Sequence, residues 1–185
     1  MTMSRTEAQE ALSEIERTTG RSFTLRAYRG GGPILMLWGV IWIIGYVAMG
    51  LEPPDRWGLV WAPLDLIGFV ATLLMVCSRH PGADRVQRAW RTVGMVLAVG
   101  AFCGAVLTIF QGRGVNTYLA FPGLITGMIY AMIGVWRMPR YVWIGAAMFA
   151  ATLAGYFWFP MWLAFWMAGV GGCALILGGF WLRRA

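Results

Sequence analysis

Six apolar runs, each about as long as a bilayer is thick, constrain this chain more than any other feature of its sequence. They lie at 33–50, 57–78, 92–110, 117–136, 141–159 and 160–182. Lipid offers no partner to an open backbone N–H or C=O group, so runs of this length must cross as helices. With 59% hydrophobic and 12% charged residues, the chain also has too little polar side chain to cover a water-soluble globule. The sequence predicts an all-α polytopic membrane protein with six transmembrane helices arranged as three hairpins.

Arginine placement predicts how these helices are oriented, because basic residues near the ends of spans are retained in the cytoplasm. All fifteen basic residues are arginines, and thirteen lie before the first span, in the second and fourth connections, or in the tail. Only Arg56 and Arg113 fall on the other side, where Glu52 and Asp55 offset them. Both termini are therefore expected in the cytoplasm. There the arginines would meet anionic lipid headgroups, so the basic pI does not predict a nucleic-acid partner.

The residues before the first span form a charged leader. The predicted division is a cytoplasmic leader and juxtamembrane segment at 1–32, a six-helix transmembrane domain at 33–182, and a cytoplasmic tail at 183–185. Residues 4–19 fit a short amphipathic helix that Gly20 can end, and Gly30-Gly31-Gly32 would form a flexible joint.

Between the predicted helix and the joint, arginines alternate with aromatic and apolar residues. The side chains expected to contact the membrane surface are Arg21, Phe23, Arg26, Tyr28 and Arg29. A leader lying along the inner membrane surface is favoured, and a docking element for a partner is the alternative.

Asp65 is the one acidic residue predicted within a span, and an ionisable group inside a bilayer is costly enough to be a functional candidate. If Pro63 is the first helical residue, the Asp65 carboxylate lies in the first turn and caps unpaired N–H groups there. The alternative is a ligand or proton role in a small outward-facing polar pocket. That pocket would contain Asp65, Tyr46, Gln111, Arg113, Asn116 and Tyr118. Capping is favoured, because one carboxylate without a second titrating partner makes a poor relay.

Small residues recur four apart within several spans, which lets helices approach closely. The pairs are Gly100 and Gly104, Gly123 and Gly127, Ala147 and Ala151, and Ala168 and Gly172. In a chain with six helices, packing within the chain is favoured over a homodimer face, and a homo-oligomer remains the alternative.

The residues that usually build a catalytic or metal site are isolated in this sequence. The single histidine, His80, and the three cysteines, Cys77, Cys103 and Cys173, stand apart from one another. Neither a metal site nor a cofactor is expected. The sequence also contains no phosphate loop, HExxH motif or catalytic triad pattern, which disfavours a hydrolase or an ATPase.

Three stretches resemble a known family. They are Trp38 to Tyr46 (WGVIWIIGY), Gly155-Tyr156-Phe157, and the segment from Trp166 through Gly171-Gly172 to Arg184. The chain resembles a family of small six-span bacterial inner-membrane proteins of unknown function. The resemblance implies a bacterial inner-membrane location and carries over no activity and no site residues.

Three functions stay open at this stage. The favoured one is a non-enzymatic membrane protein that acts as a small transporter or channel-like unit, or as an accessory to one. The second is a membrane enzyme acting on a lipid-soluble substrate, and the third is a scaffold or sensor that signals through its leader. A polar path through the bundle would favour the transporter. A closed pocket with two catalytic groups would favour the enzyme, and a partner bound to the leader would favour the scaffold or sensor.

Overall fold

The protein folds as a bundle of long helices, as a computed structural model describes it for residues 5–78, 83–109, 114–136 and 138–184. The helices are α1 (Arg5–Leu51), α2 (Trp57–Ser78), α3 (Ala83–Ile109), α4 (Val115–Trp136), α5 (Pro139–Trp158), α6 (Leu163–Trp166) and α7 (Cys173–Arg183). A π-helical segment, Met167–Gly172, joins α6 to α7.

Six segments of the bundle are long and apolar enough to cross a membrane. They are Thr24–Leu51, Pro54–Ser78, Ala89–Ile109, Val115–Trp136, Pro139–Trp158 and Pro160–Arg183, and we call the last of these the sixth span. The prediction of an all-α polytopic membrane fold is confirmed.

Helix α1 runs without a break from Arg5 to Leu51, so the predicted helix end at Gly20 and the predicted joint at Gly30-Gly31-Gly32 are both wrong. Packing explains the glycines. A Cβ atom on Gly32 would lie 2.7 Å from the carbonyl oxygen of Gly179, and one on Gly31 would overlap the Tyr141 side chain. Gly31 and Gly32 therefore let α5 and α7 approach the α1 backbone, and the helix stays intact through them.

One close pairing joins α1 to the sixth span through glycines spaced seven residues apart on each side. Gly32 faces Gly179, and Gly39 faces Gly172 in the π-helical segment. A Cβ atom on Gly39 would lie 2.8 Å from the Gly172 carbonyl oxygen, and one on Gly172 would lie 3.0 Å from the Gly39 carbonyl oxygen. The two backbones are in contact at both glycine pairs. Such close contact increases the dispersion attraction between the helices, which matters because the hydrophobic effect does not drive helices together in lipid.

A second close pair joins α4 to α5. A Cβ atom on Gly127 would lie 2.9 Å from the Gly145 carbonyl oxygen, and one on Gly134 would overlap the backbone nitrogen of Val142. Gly123 approaches Met167 of the sixth span, which ties this pair to the first one. Three of the small residues therefore pack within the chain as predicted, namely Gly123, Gly127 and Gly172. These two pairings, α1 with the sixth span and α4 with α5, differ from the three predicted hairpins, which pair the first span with the second, the third with the fourth and the fifth with the sixth.

Helices α2 and α3 lie at the side of this core. Gly68 of α2 lets Ile41 and Trp38 of α1 pack against its backbone, and the Trp38 indole N–H donates a 3.1 Å hydrogen bond to the Thr72 hydroxyl. Helix α3 lies beside α2, and no residue of its span is buried. Both α3 and the outer face of α2 are therefore left for lipid to cover.

Candidate functional site

Asp65 lies well inside α2, so its predicted role as a first-turn cap is wrong. The helix begins at Trp57, directly after a 3-10 turn at Pro54–Arg56, and Pro63 lies within it. Only the first four N–H groups of a helix lack an internal partner, and Asp65 is past them. The first residue of α2, Trp57, donates a 3.0 Å hydrogen bond from its indole N–H to the Glu52 carbonyl oxygen, directly after α1.

By its helical spacing, Asp65 lies on the side of α2 that packs against α1. Its helical neighbours on that face are Trp61, whose ring packs on Gly45, and Gly68, which packs on Ile41. Asp65 itself is half-buried, near the middle of the span Pro54–Ser78. Among the described residues, no hydrogen bond or ion pair reaches its carboxylate. An ionised carboxylate at this position would therefore lie at the depth where a charge is most costly.

Tyr46 connects α1 to α4 and is fully buried. Its hydroxyl donates a 2.9 Å hydrogen bond to the Leu119 carbonyl oxygen, and its ring packs edge-on against Trp42 and Trp61, with centroids 5.4 and 5.5 Å away. The hydroxyl is thus already paired within the bundle.

The remaining members of the predicted pocket are dispersed. Asn116 is half-buried in the first turn of α4. Tyr118 borders a groove of about 260 Å³ between α3 and α4, with Val106 and Leu107 on the far wall. Gln111 and Arg113 lie outside the described residues. The structure thus pairs the Tyr46 hydroxyl with α4 one turn from Asn116, whereas Tyr118 borders the groove between α3 and α4 and Asp65 lies on the side of α2 that packs against α1.

A second groove, of about 210 Å³, separates α2 from α3. It begins at Phe69, one turn beyond Asp65, and is lined on the α3 side by Val93, Val96 and Leu97. Its walls are apolar apart from two threonine side chains, Thr72 and Thr92. Such a lining suits an acyl chain better than a polar solute.

The predicted membrane-surface residues divide into exposed and buried ones. Arg26 and Arg29 are exposed. Tyr28 is only 5% exposed, and its ring stacks on Tyr141 at a centroid distance of 6.2 Å, so its predicted membrane contact is wrong. The side chains of Arg21 and Phe23 lie outside the described part of the structure.

Sequence reasoning missed the cluster that buries Tyr28. The backbone N–H of Arg140, at the start of α5, donates a 3.2 Å hydrogen bond to the Tyr28 hydroxyl, and Tyr130 of α4 packs edge-on against Tyr141. The sequence signal is an arginine and a tyrosine directly after Pro139, from which the arginine bias predicts only the orientation of the span. Within the described ranges, no three His, Cys, Asp or Glu side chains lie close enough to bind a metal ion together.

Comparison of this chain with known protein families, with curated proteins and with solved structures found no match.

Proposed function

We propose that this protein is a non-enzymatic accessory or scaffold protein of a bacterial inner membrane, which recruits a cytoplasmic partner with its N-terminal helix. The observation that carries this proposal is the continuity of α1. The helix passes from residue 5 through the glycines into the core of the bundle, and the span begins only at Thr24. Residues 5–23 form about 28 Å of helix beyond the span, at about 1.5 Å per residue, and we call them the arm.

The charge of the arm favours a protein partner over the membrane surface. Four of the eight acidic residues of the chain lie on it together with three arginines, which leaves residues 5–23 with a net charge of −1; these residues are Glu7, Glu10, Glu14, Glu16, Arg5, Arg17 and Arg21. The four glutamates favour a basic protein surface over the anionic inner leaflet as the surface that the arm contacts. Ala8, Leu12 and Ile15 share one face of the helix by their spacing, which suits an apolar groove with a basic rim.

The way α1 is held in the bundle suits a scaffold or sensor. Its Tyr28 ring packs against Tyr141 of α5. It contacts the sixth span through two glycine pairs, Gly32 with Gly179 and Gly39 with Gly172. Any displacement of the arm by a partner therefore acts on a helix that contacts most of the core. The backbones of α1 and the sixth span fill the space between them, which favours this role over a channel at that place.

The test is photo-crosslinking in native membranes with a photoreactive residue at position 12 of the full-length protein. We expect one discrete protein adduct that disappears when Glu7, Glu10, Glu14 and Glu16 are all changed to glutamine. Loss of the adduct is expected because the substitutions remove the charge that attracts a basic surface while keeping side chains that form helices well.

A matched photoreactive residue at Val135, which is exposed on the apolar surface of α4, should give lipid adducts only. Removing residues 1–20 should leave the bundle folded in detergent, because Tyr28 is the first buried residue of α1 among the described side chains. A position-12 adduct with lipid alone, or one indifferent to the glutamates, would refute the recruitment of a basic partner.

Transport is the second candidate, and the position of Asp65 favours it. A half-buried carboxylate in mid-span, with no partner among the described residues, could bind a cation or carry a proton. The seam between α1 and α2, next to the apolar groove that starts at Phe69, would then be the part of the bundle that opens.

A further inference from the structure

Arg140 lies where the start of α5 and the end of α7 meet the middle of α1, near the beginning of the first span, and its guanidinium contacts two aromatic rings. The guanidinium carbon lies 5.5 Å from the centroid of the Tyr28 ring and 5.1 Å from that of the Trp181 ring. One guanidinium nitrogen, Nη1, donates a 2.8 Å hydrogen bond to the Trp181 carbonyl oxygen. Residues from two other helices therefore fix both the position and the orientation of this planar cation.

Most of the hydrogen-bonding capacity of Arg140 is left over. A guanidinium has five N–H donors, and the acceptor that the described residues provide is the Trp181 carbonyl oxygen. The ion pair found within those residues joins Arg56 to Glu52 in the loop between α1 and α2. The positive charge of Arg140 is thus not balanced by a described carboxylate, and the side chain is partly exposed.

The first turn of α5 adds nothing to this site. The Arg140 backbone N–H donates to the Tyr28 hydroxyl at 3.2 Å, and the Tyr141 N–H donates to the Met138 carbonyl oxygen at 2.8 Å. These amides already have acceptors. The available donors belong to the guanidinium itself.

We propose that Arg140 binds the phosphate group of an anionic phospholipid. A planar fork of N–H groups matches two phosphate oxygens, and such charge-assisted pairs are the strong hydrogen bonds of protein surfaces. Arg140 is the second residue of the span Pro139–Trp158, so it lies at the depth where lipid phosphates are found.

The surroundings of Arg140 select a lipid over a soluble phosphate. About one turn deeper, Trp143 of α5 and Leu177 of α7 are 70% and 67% exposed, where acyl chains would cover them. Arg183, in the last turn of α7, packs its side-chain stem against Gly32 and adds positive charge nearby. That local field favours a headgroup with net negative charge over a zwitterionic one.

The test is native mass spectrometry of the full-length protein in detergent, titrated with phosphatidylglycerol or with phosphatidylcholine of the same acyl chains. Phosphatidylglycerol should bind more tightly than phosphatidylcholine. Arg140→Gln should weaken phosphatidylglycerol binding by about tenfold or more, as expected for the loss of a charge-assisted hydrogen bond. Arg140→Lys, which keeps the charge but loses the fork, should weaken it by a smaller factor.

Two other arginines serve as matched controls. Arg184→Gln removes an exposed charge at the same end of the bundle, and Arg56→Gln removes one from the loop between α1 and α2; each should change binding less than about twofold. Circular dichroism and size-exclusion chromatography identify variants that fail to fold. If Arg140→Gln fails to fold, the comparison of Arg140→Lys with the unmodified protein tests the site. The lipid site would be overturned if both lipids bound equally or if Arg140→Lys left the affinity for phosphatidylglycerol unchanged. It would also be overturned if Arg184→Gln caused an equal loss of binding, or if inorganic phosphate competed with the same affinity.

Discussion

Single side chains in this protein act according to the depth and the helix face on which they lie. Tyr46 and Thr152 are buried polar residues whose hydroxyls are paired inside the bundle, Tyr46 with the Leu119 carbonyl oxygen and Thr152 with the Met148 carbonyl oxygen 2.8 Å away. Such pairing removes the cost of a polar group in an apolar surrounding. Asp65 differs, because its charge lies in mid-span without a described acceptor or donor.

We expect Asp65→Asn to leave the free energy of unfolding unchanged, or to raise it by about 1 kcal/mol, because the neutral amide removes the cost of a charge in a half-buried site. Denaturant unfolding in detergent, followed by tryptophan fluorescence, measures this change. Asp55→Asn is the matched control, since Asp55 is exposed in the 3-10 turn before α2. A loss above about 1 kcal/mol would mean that a partner holds the carboxylate.

The same variant tests the transport candidate. In proteoliposomes with an imposed ion gradient, Asp65→Asn should abolish any proton or sodium flux that the unmodified protein supports, while Asp55→Asn should retain it. An equal flux through both variants would remove Asp65 from consideration as a transport residue.

Pairs of helices are held together by glycines at which two backbones touch. The pairing of α1 with the sixth span depends on Gly39 and Gly172, whereas Gly100 on α3 has nothing within 4 Å of the place where a Cβ atom would lie. The same residue type therefore has opposite roles on the two helices. On α1 it allows close contact, and on α3 it only lowers helix propensity.

We expect Gly39→Ala to destabilise the bundle by about 1–3 kcal/mol, because the new methyl group would lie within van der Waals overlap of the Gly172 carbonyl oxygen. Gly100→Ala should be neutral or stabilise by up to about 1 kcal/mol through helix propensity. Unfolding of both variants in mixed micelles gives the comparison. Equal effects of the two substitutions would show that α1 and the sixth span do not meet at these glycines.

The whole molecule consists of a tightly packed part and a loosely attached part. Helix α1 packs on the sixth span, and α4 on α5, through backbone contacts, while α3 has no buried residue in its span and borders two apolar grooves. Lipid must cover those grooves in the membrane. The arm extends the first helix beyond this bundle at one end.

The arginine bias predicts the orientation of the whole bundle, with both termini in the cytoplasm. In a variant without the three native cysteines, an impermeant maleimide should label Asp55→Cys on intact cells and Arg184→Cys only after lysis. Both sites are exposed, so a difference in labelling reports the side of the membrane. Labelling of Arg184→Cys on intact cells would contradict the expected orientation.

The sequence by itself determined that the protein is all-α and which six segments are long and apolar enough to cross a membrane. Span length and hydropathy are local properties, so the second span, predicted at 57–78, coincides with α2 at Trp57–Ser78. The candidate pocket was less accessible to sequence reasoning. Asp65 was correctly placed within a span, but its supposed partners had to be chosen by side of the membrane alone.

Only the tertiary structure decided which residues of different helices meet. Glycines at 30–32 were expected to form a joint because glycine is flexible in isolation, yet the neighbouring Tyr141 and Gly179 make this stretch a packing surface within one helix. Tyr28 was expected at the membrane surface because it follows arginines, yet Arg140 and Tyr141 lie 112 and 113 positions further along the chain and bury it. Contacts of that kind depend on the crossing of whole helices, which no local pattern of residues specifies.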